Sequence, residues 1–117
     1  AFVLPLLPDA TEEALIRWIQ EDMASAPKKV ALSAFRHYMG QYVNGEASAV
    51  FENISIPVVS INARVWPTDL DANKKHIQDY NLYYIEETGH FPMLEKPKKF
   101  NALLTEVLES IEVKLHL

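Results

Sequence analysis

An imidazole set beside a glycine is the side chain best suited to do chemistry in this chain. It lies in the run Thr88-Gly89-His90-Phe91-Pro92-Met93-Leu94-Glu95-Lys96-Pro97, directly after a predicted strand. Free imidazole titrates near neutrality and can take up and return a proton within one reaction cycle. Open α/β sheets build their sites at the carboxyl ends of parallel strands. Gly89 permits a tight turn and a close backbone approach just before the ring. A Gly-His pair alone reads more readily as a surface loop with a solvated ring, so the surrounding elements decide its meaning.

The remaining candidates assemble less. His37, His76 and His116 share no metal-ligand spacing with one another or with His90, and they read as solvated side chains. Asp69, Asp71 and Asn73 alternate as in a calcium loop, but the glycine and the closing glutamate of such a loop are missing. The chain has no cysteine, which excludes a disulfide framework, a thiolate zinc site and a cysteine nucleophile. No metal and no cofactor is expected. Among the aromatic residues, Trp18, Phe35 and Tyr38 lie on helices, and Trp18 and Phe35 fall on apolar stripes that read as core. Trp66 is the aromatic residue best placed to meet a substrate, because its loop leaves the same predicted sheet edge as His90. The lysine pairs at 28–29 and 74–75, and the lysines from 96 to 99, read as solvated helix starts.

The elements that must position these residues fall into two halves. Asp9 and Glu12 have capping-box spacing, ahead of a stripe of Leu15, Trp18, Ile19 and Met23. Pro27 suits the first turn of a second helix, with Val30, Ala31, Ala34, Phe35 and Tyr38 as its buried face and Gly40 as its stop. Residues 41–53 read as a short helix or loop. The character changes at Ile54. Residues 56–61 (IPVVSI) form a short β-branched run without polar alternation, the pattern of a strand covered on both faces. A loop at 66–69 leads into a polar helix from about residue 70 to 79, capped by Thr68 or Asp69. Residues 82–85 form a second strand. Strand, crossover helix and strand require parallel pairing with a right-handed crossover. After a loop at 86–96, Pro97 opens a final helix with Phe100, Leu103, Leu104, Val107, Leu108 and Ile111 on one face.

The chain has 117 residues, 49% of them hydrophobic and 23% charged, and its 16 acidic against 11 basic residues give a net charge of −5. These values describe one small globular unit, exclude a disordered tail, and argue against a nucleic-acid partner. No apolar run is long enough to span a bilayer, the start lacks the basic residues of a secretory signal, and a cytoplasmic location is favoured. Two parallel strands make no stable sheet alone, so the expectation is a piece of a larger domain with most of its sheet elsewhere. The chain opens on Ala rather than Met, and residue 1 is expected not to be the natural start.

From Ile54 to Ile111, this order of elements with Gly-His-Phe-Pro-x-Leu-Glu-x-Pro resembles the C-terminal end of the α/β-hydrolase family. Residues 8–39 resemble the helical cap that many members insert above the active site. The resemblance implies an α/β fold in which 1–50 are a cap or lid segment. Residues 51–117 would be the C-terminal part of the core, with two parallel strands, a crossover helix and a terminal helix. It implies that His90 is the catalytic base, with Phe91, Pro92, Met93 and Leu94 as the wall beside it. Trp66 and Phe91 would then contact substrate, and Glu95 and Pro97 would set up the last helix.

The activity implied is hydrolysis of a small carboxylic ester or similar substrate by a serine-type nucleophile-His-acid triad. Two parts depart from the pattern. Ser25, Ser33, Ser48, Ser55, Ser60 and Ser110 all lack the nucleophile elbow, which the family places ahead of the cap. The family's Gly-x-x-Asp corresponds to Ala63-Arg64-Val65-Trp66, so Trp66 stands at the expected carboxylate. Asp69 is the nearest substitute for the acid, and it also stands where a helix N-cap would. The chain alone is therefore expected to be inactive, with the rest of a hydrolase core or a second copy as its partner and a small molecule as substrate. The alternatives are a non-catalytic hydrolase-like protein binding a small ligand, and an interaction module that pairs its open strand edge.

Overall fold

The computed structural model, which describes residues 3–65 and 67–115, combines helices with a two-stranded parallel sheet. A 3-10 turn, Leu4–Leu6, is followed by α1 (Glu13–Ser25), α2 (Lys28–Val43) and α3 (Glu46–Glu52). Then come β1 (Val58–Ala63), α4 (Leu70–His76), β2 (Tyr80–Ile85), the single turn α5 (Pro92–Glu95) and α6 (Pro97–Leu115). The strands pair from Val58 with Tyr80 to Ala63 with Ile85, joined by the crossover through α4.

Local chemistry explains where the boundaries differ from those read in the sequence. The capping box of Asp9 and Glu12 does not form: the Thr11 N–H turns back to the Pro8 carbonyl, and α1 starts at Glu13 without a side-chain cap. Ala26, preceding a proline, adopts an extended conformation and ends α1. Pro27 is the N-cap residue of α2, where its carbonyl accepts from Val30 and Ala31. Gly40 does not stop α2. The helix runs on to Val43, and Gly45, at φ +70°, supplies the left-handed residue that ends it. β1 begins two residues later than expected because Pro57 has no N–H for the ladder, which leaves Ile56 exposed outside it. α4 stops at His76, since Ile77 turns extended and buries its side chain, and β2 starts earlier, at Tyr80.

The core is small. Among the described residues the buried apolar side chains are Val3, Leu6, Ile19, Ile77, Tyr80, Ile85, Pro92 and Val107. Tyr80 keeps its hydroxyl satisfied while buried, donating to Ser60 Oγ at 2.9 Å and accepting from Asn73 Nδ2 at 3.1 Å. These bonds hold α4 against both strands. His76 is not merely solvated, because its Nδ1 lies 2.7 Å from Glu52 and ties α3 to α4.

Much of the apolar pattern lacks cover. α2 buries no residue, so the expected buried face of Val30, Phe35 and Tyr38 is exposed, and Trp18 is 53% exposed. β1 is half-buried along its whole length instead of enclosed. On α6, Val107 is buried whereas Leu104 and Leu108 of the same stripe face outward. The accessible surface is 9085 Å², about two-fifths above the ~6,450 Å² of a compact monomer of this mass. The radius of gyration is 16.7 Å, against about 13.4 Å for a compact domain of this length. No described helix is long and apolar enough to cross a membrane.

Candidate functional site

Because β1 and β2 are parallel and in register, their last residues, Ala63 and Ile85, release two loops from the same sheet edge. Arg64 and Glu86, the next residues on each strand, form an ion pair that ties the two exits, and the Arg64 guanidinium stacks 4.4 Å from the Tyr84 ring centre. The hydrogen bond and charge of the Glu86 carboxylate raise the Arg64 pKa above its ordinary value. Asn62 Nδ2 donates to Thr68 Oγ1 at 2.6 Å, and the Thr68 N–H donates to the Tyr84 hydroxyl at 3.3 Å. The loop after β1 is thereby fastened back onto β2.

The turn after β2 is held more tightly. Glu87 has φ +56°, an uncommon conformation for a residue with a side chain. Thr88, the most buried polar residue described, donates through Oγ1 to the Ile85 carbonyl at 2.8 Å and closes the turn. Lys96 Nζ reaches the Glu86 carbonyl at 3.0 Å and the Glu87 carboxylate at 2.8 Å. Its hydrogen bond and charge, with a further contribution from Lys99, hold the Glu87 carboxyl below the usual carboxylate range.

Gly89 and His90 follow, with every backbone N–H from 89 to 91 engaged. Gly89 donates to both carboxylate oxygens of Glu95, at 3.0 and 2.8 Å, and Phe91 donates to Glu95 Oε1 at 3.1 Å. Between them, the His90 N–H donates to the Leu6 carbonyl at 2.6 Å. The glycine is required by space: a Cβ at 89 would lie 2.3 Å from the Leu6 carbonyl oxygen and 2.8 Å from Pro8 Cδ. Within the segment read as cap, residues 6–8 therefore form a strap packed on the histidine loop.

His90 lines an open cleft of about 280 Å³ at this edge, with Leu6, Ile61, Asn62, Ala63, Val65, Pro92 and Met93. Its wall is mostly aliphatic, with Asn62 as a polar residue in the lining. His90 is exposed as a residue, and its ring meets the Phe91 ring edge to face, with centroids 5.0 Å apart and planes at 88°.

The residues singled out in the sequence reach this edge unequally. Of the expected wall, Pro92 and Met93 line the cleft, whereas Phe91, which meets the imidazole edge to face, and Leu94 are not among the lining residues. Asp69 serves as the N-cap of α4, accepting from the Ala72 N–H at 2.9 Å, and is not among the residues lining the cleft. Trp66 and His116 lie outside the described residues. Trp18, Phe35 and Tyr38 do not line the cleft, and among the described residues no group of three or more His, Asp or Glu could hold a metal ion.

Sequence reasoning missed Leu6, Asn62 and the part played by Glu95. For Glu95 the signal was weak: it stands four residues after Phe91, the N-cap residue of α5, one beyond capping-box spacing, although it does reach back to that N–H. Leu6 had none, because it meets His90 across more than eighty residues of chain. No family model, curated protein or solved structure matches the chain.

Proposed function

We propose that this chain is the C-terminal part of an α/β-hydrolase that cleaves a small carboxylic ester or a similar substrate, with His90 as its general base. The observation that carries the reading is the position of His90, on a cleft at the carboxyl edge of two parallel strands, with its backbone secured on both sides. In this reading the imidazole takes the proton of a hydroxyl nucleophile supplied by residues outside this chain. The oxygen then attacks the ester carbonyl carbon, and His90 returns the proton to the departing alcohol. It next takes a proton from water as the water oxygen attacks the acyl carbon, and returns that proton to the nucleophile's oxygen as the acyl–oxygen bond breaks and the acid leaves. The aliphatic wall of Ile61, Val65, Pro92 and Met93 suits the non-polar part of such a substrate.

The missing partner is supported by surface rather than chemistry. A helix with no buried residue, a half-covered strand and an area well above that of a compact monomer are accounted for by a larger sheet and core docking against this unit. A second reading, a hydrolase-like protein that binds a small ligand without turning it over, draws on Asp69, whose carboxylate is engaged in capping α4.

The deciding experiment is His90→Ala in the intact protein that carries this segment. Loss of ester turnover by about 10²–10⁴-fold with an unchanged circular-dichroism spectrum is expected; turnover close to wild type removes His90 from the mechanism. The 117 residues alone are expected to show no saturable hydrolysis of p-nitrophenyl esters.

A further inference from the structure

Glu95 does not line the cleft, yet it makes more hydrogen bonds to the histidine loop than any other described side chain. Its carboxylate spans His90, taking the N–H before it and the N–H after it, while the His90 N–H is held from the other side by the strap. Fixing the peptide groups on both flanks leaves the His90 backbone little rotational freedom, and with it the direction of Cα–Cβ. Charge-assisted bonds of this kind are roughly twice as strong as neutral ones. We propose that Glu95 is the positioning residue of this site, holding His90 at the angle from which it exchanges a proton in the cleft. The proposal rests on the reading of His90 as the base.

The chemistry of the clasp says what a substitute must do. Gly89 faces both oxygens, at 3.0 and 2.8 Å, and Phe91 faces Oε1. A glutamine can offer one oxygen to Gly89 and Phe91, but its NH₂ then stands where Oε2 was, donor against the Gly89 donor. The clasp opens although the side-chain shape is kept. An aspartate keeps the charge but is one methylene short and cannot hold both amides.

The test uses the intact protein and two readouts. Glu95→Gln is expected to lower kcat about 100-fold with KM within about twofold, the pattern of a displaced reacting group and not of a weakened substrate site. Amide hydrogen exchange at Gly89 and Phe91 is expected to quicken at least about tenfold while that at Val107 stays unchanged, as for local loosening. Wild-type kcat in Glu95→Gln overturns the proposal. Should the wild type itself turn over no ester, the hydrolase reading falls, and the exchange rates still decide whether Glu95 positions His90: unchanged rates at 89 and 91 overturn it, and faster rates support it. If Glu95→Gln fails to fold, Glu95→Asp carries both readouts with the same expected outcomes.

Discussion

Both carboxylate oxygens of Glu95 lie within hydrogen-bond distance of the Gly89 N–H, at 3.0 and 2.8 Å. On its other side Gly89 touches the strap, where a Cβ would meet the Leu6 carbonyl oxygen at 2.3 Å. The residue ahead of His90 is thus held between a carboxylate from α5 and a main chain from the N-terminal segment. Neither contact involves the imidazole, and both set where it stands.

Gly89→Ala should be the most disruptive single methyl in the chain. Every near neighbour of the added carbon is backbone or proline ring, so the strap has to move rather than a flexible side chain. A cost of about 1–3 kcal/mol is expected, read in urea as a lower midpoint with an unchanged slope. A midpoint equal to wild type would mean that the strap does not rest on this loop.

Asp69 separates into two roles by two substitutions. As the N-cap of α4, its loss in Asp69→Ala should cost about 1 kcal/mol, whereas Asp69→Asn, another good cap, should cost a few tenths at most, roughly. Thermal melts of both variants check this. A fall in turnover for Asp69→Asn as large as that for His90→Ala would instead assign it the orientation of the imidazole.

Glu87 gives the turn after β2 a pH dependence of known sign. Lys96 and Lys99 lower its pKa in the folded chain, so the folded state binds fewer protons than the unfolded one. The stabilisation is complete above the ordinary value of 4.5 and disappears as the pH falls through the folded value. Glu87→Gln should therefore be less stable than wild type at pH 7, and the difference should vanish as the pH falls through the folded value. Because the carboxylate is exposed, 1 M salt should shrink the difference at pH 7.

The uncovered face of α2 should govern association of the isolated chain. Phe35 and Tyr42, two turns apart on one side, are 62% and 73% exposed. Replacing both with lysine is expected to reduce concentration-dependent self-association in sedimentation velocity while moving the melting temperature little, as surface substitutions do. A large drop in melting temperature would show that these side chains are already buried against something in solution.

Local chemistry by itself determined a good deal of this protein. The strand–helix–strand order, the parallel pairing, the Asp69 cap and the opening of α6 at Pro97 all follow from short-range patterns and are found as read. So does the place of His90, because a glycine and a histidine a few residues beyond a parallel strand must emerge at its carboxyl edge. Boundaries shifted where a single backbone preference outweighed an apolar run, as at Pro57 and Gly45.

Only the tertiary structure decided what holds the imidazole and which apolar faces find cover. Leu6 and His90 are joined by one main-chain hydrogen bond across most of the sequence, and periodicity carries no record of such a bond. Glu95 reads locally as the start of a helix; that its two oxygens turn back to Gly89 and Phe91 depends on the loop closing over α5. Both α2 and α6 carry an apolar stripe, yet Val107 is buried and Phe35 is not. A hydrophobic period specifies that a helix has a face to bury; the partner that buries it is set by the packing of distant segments.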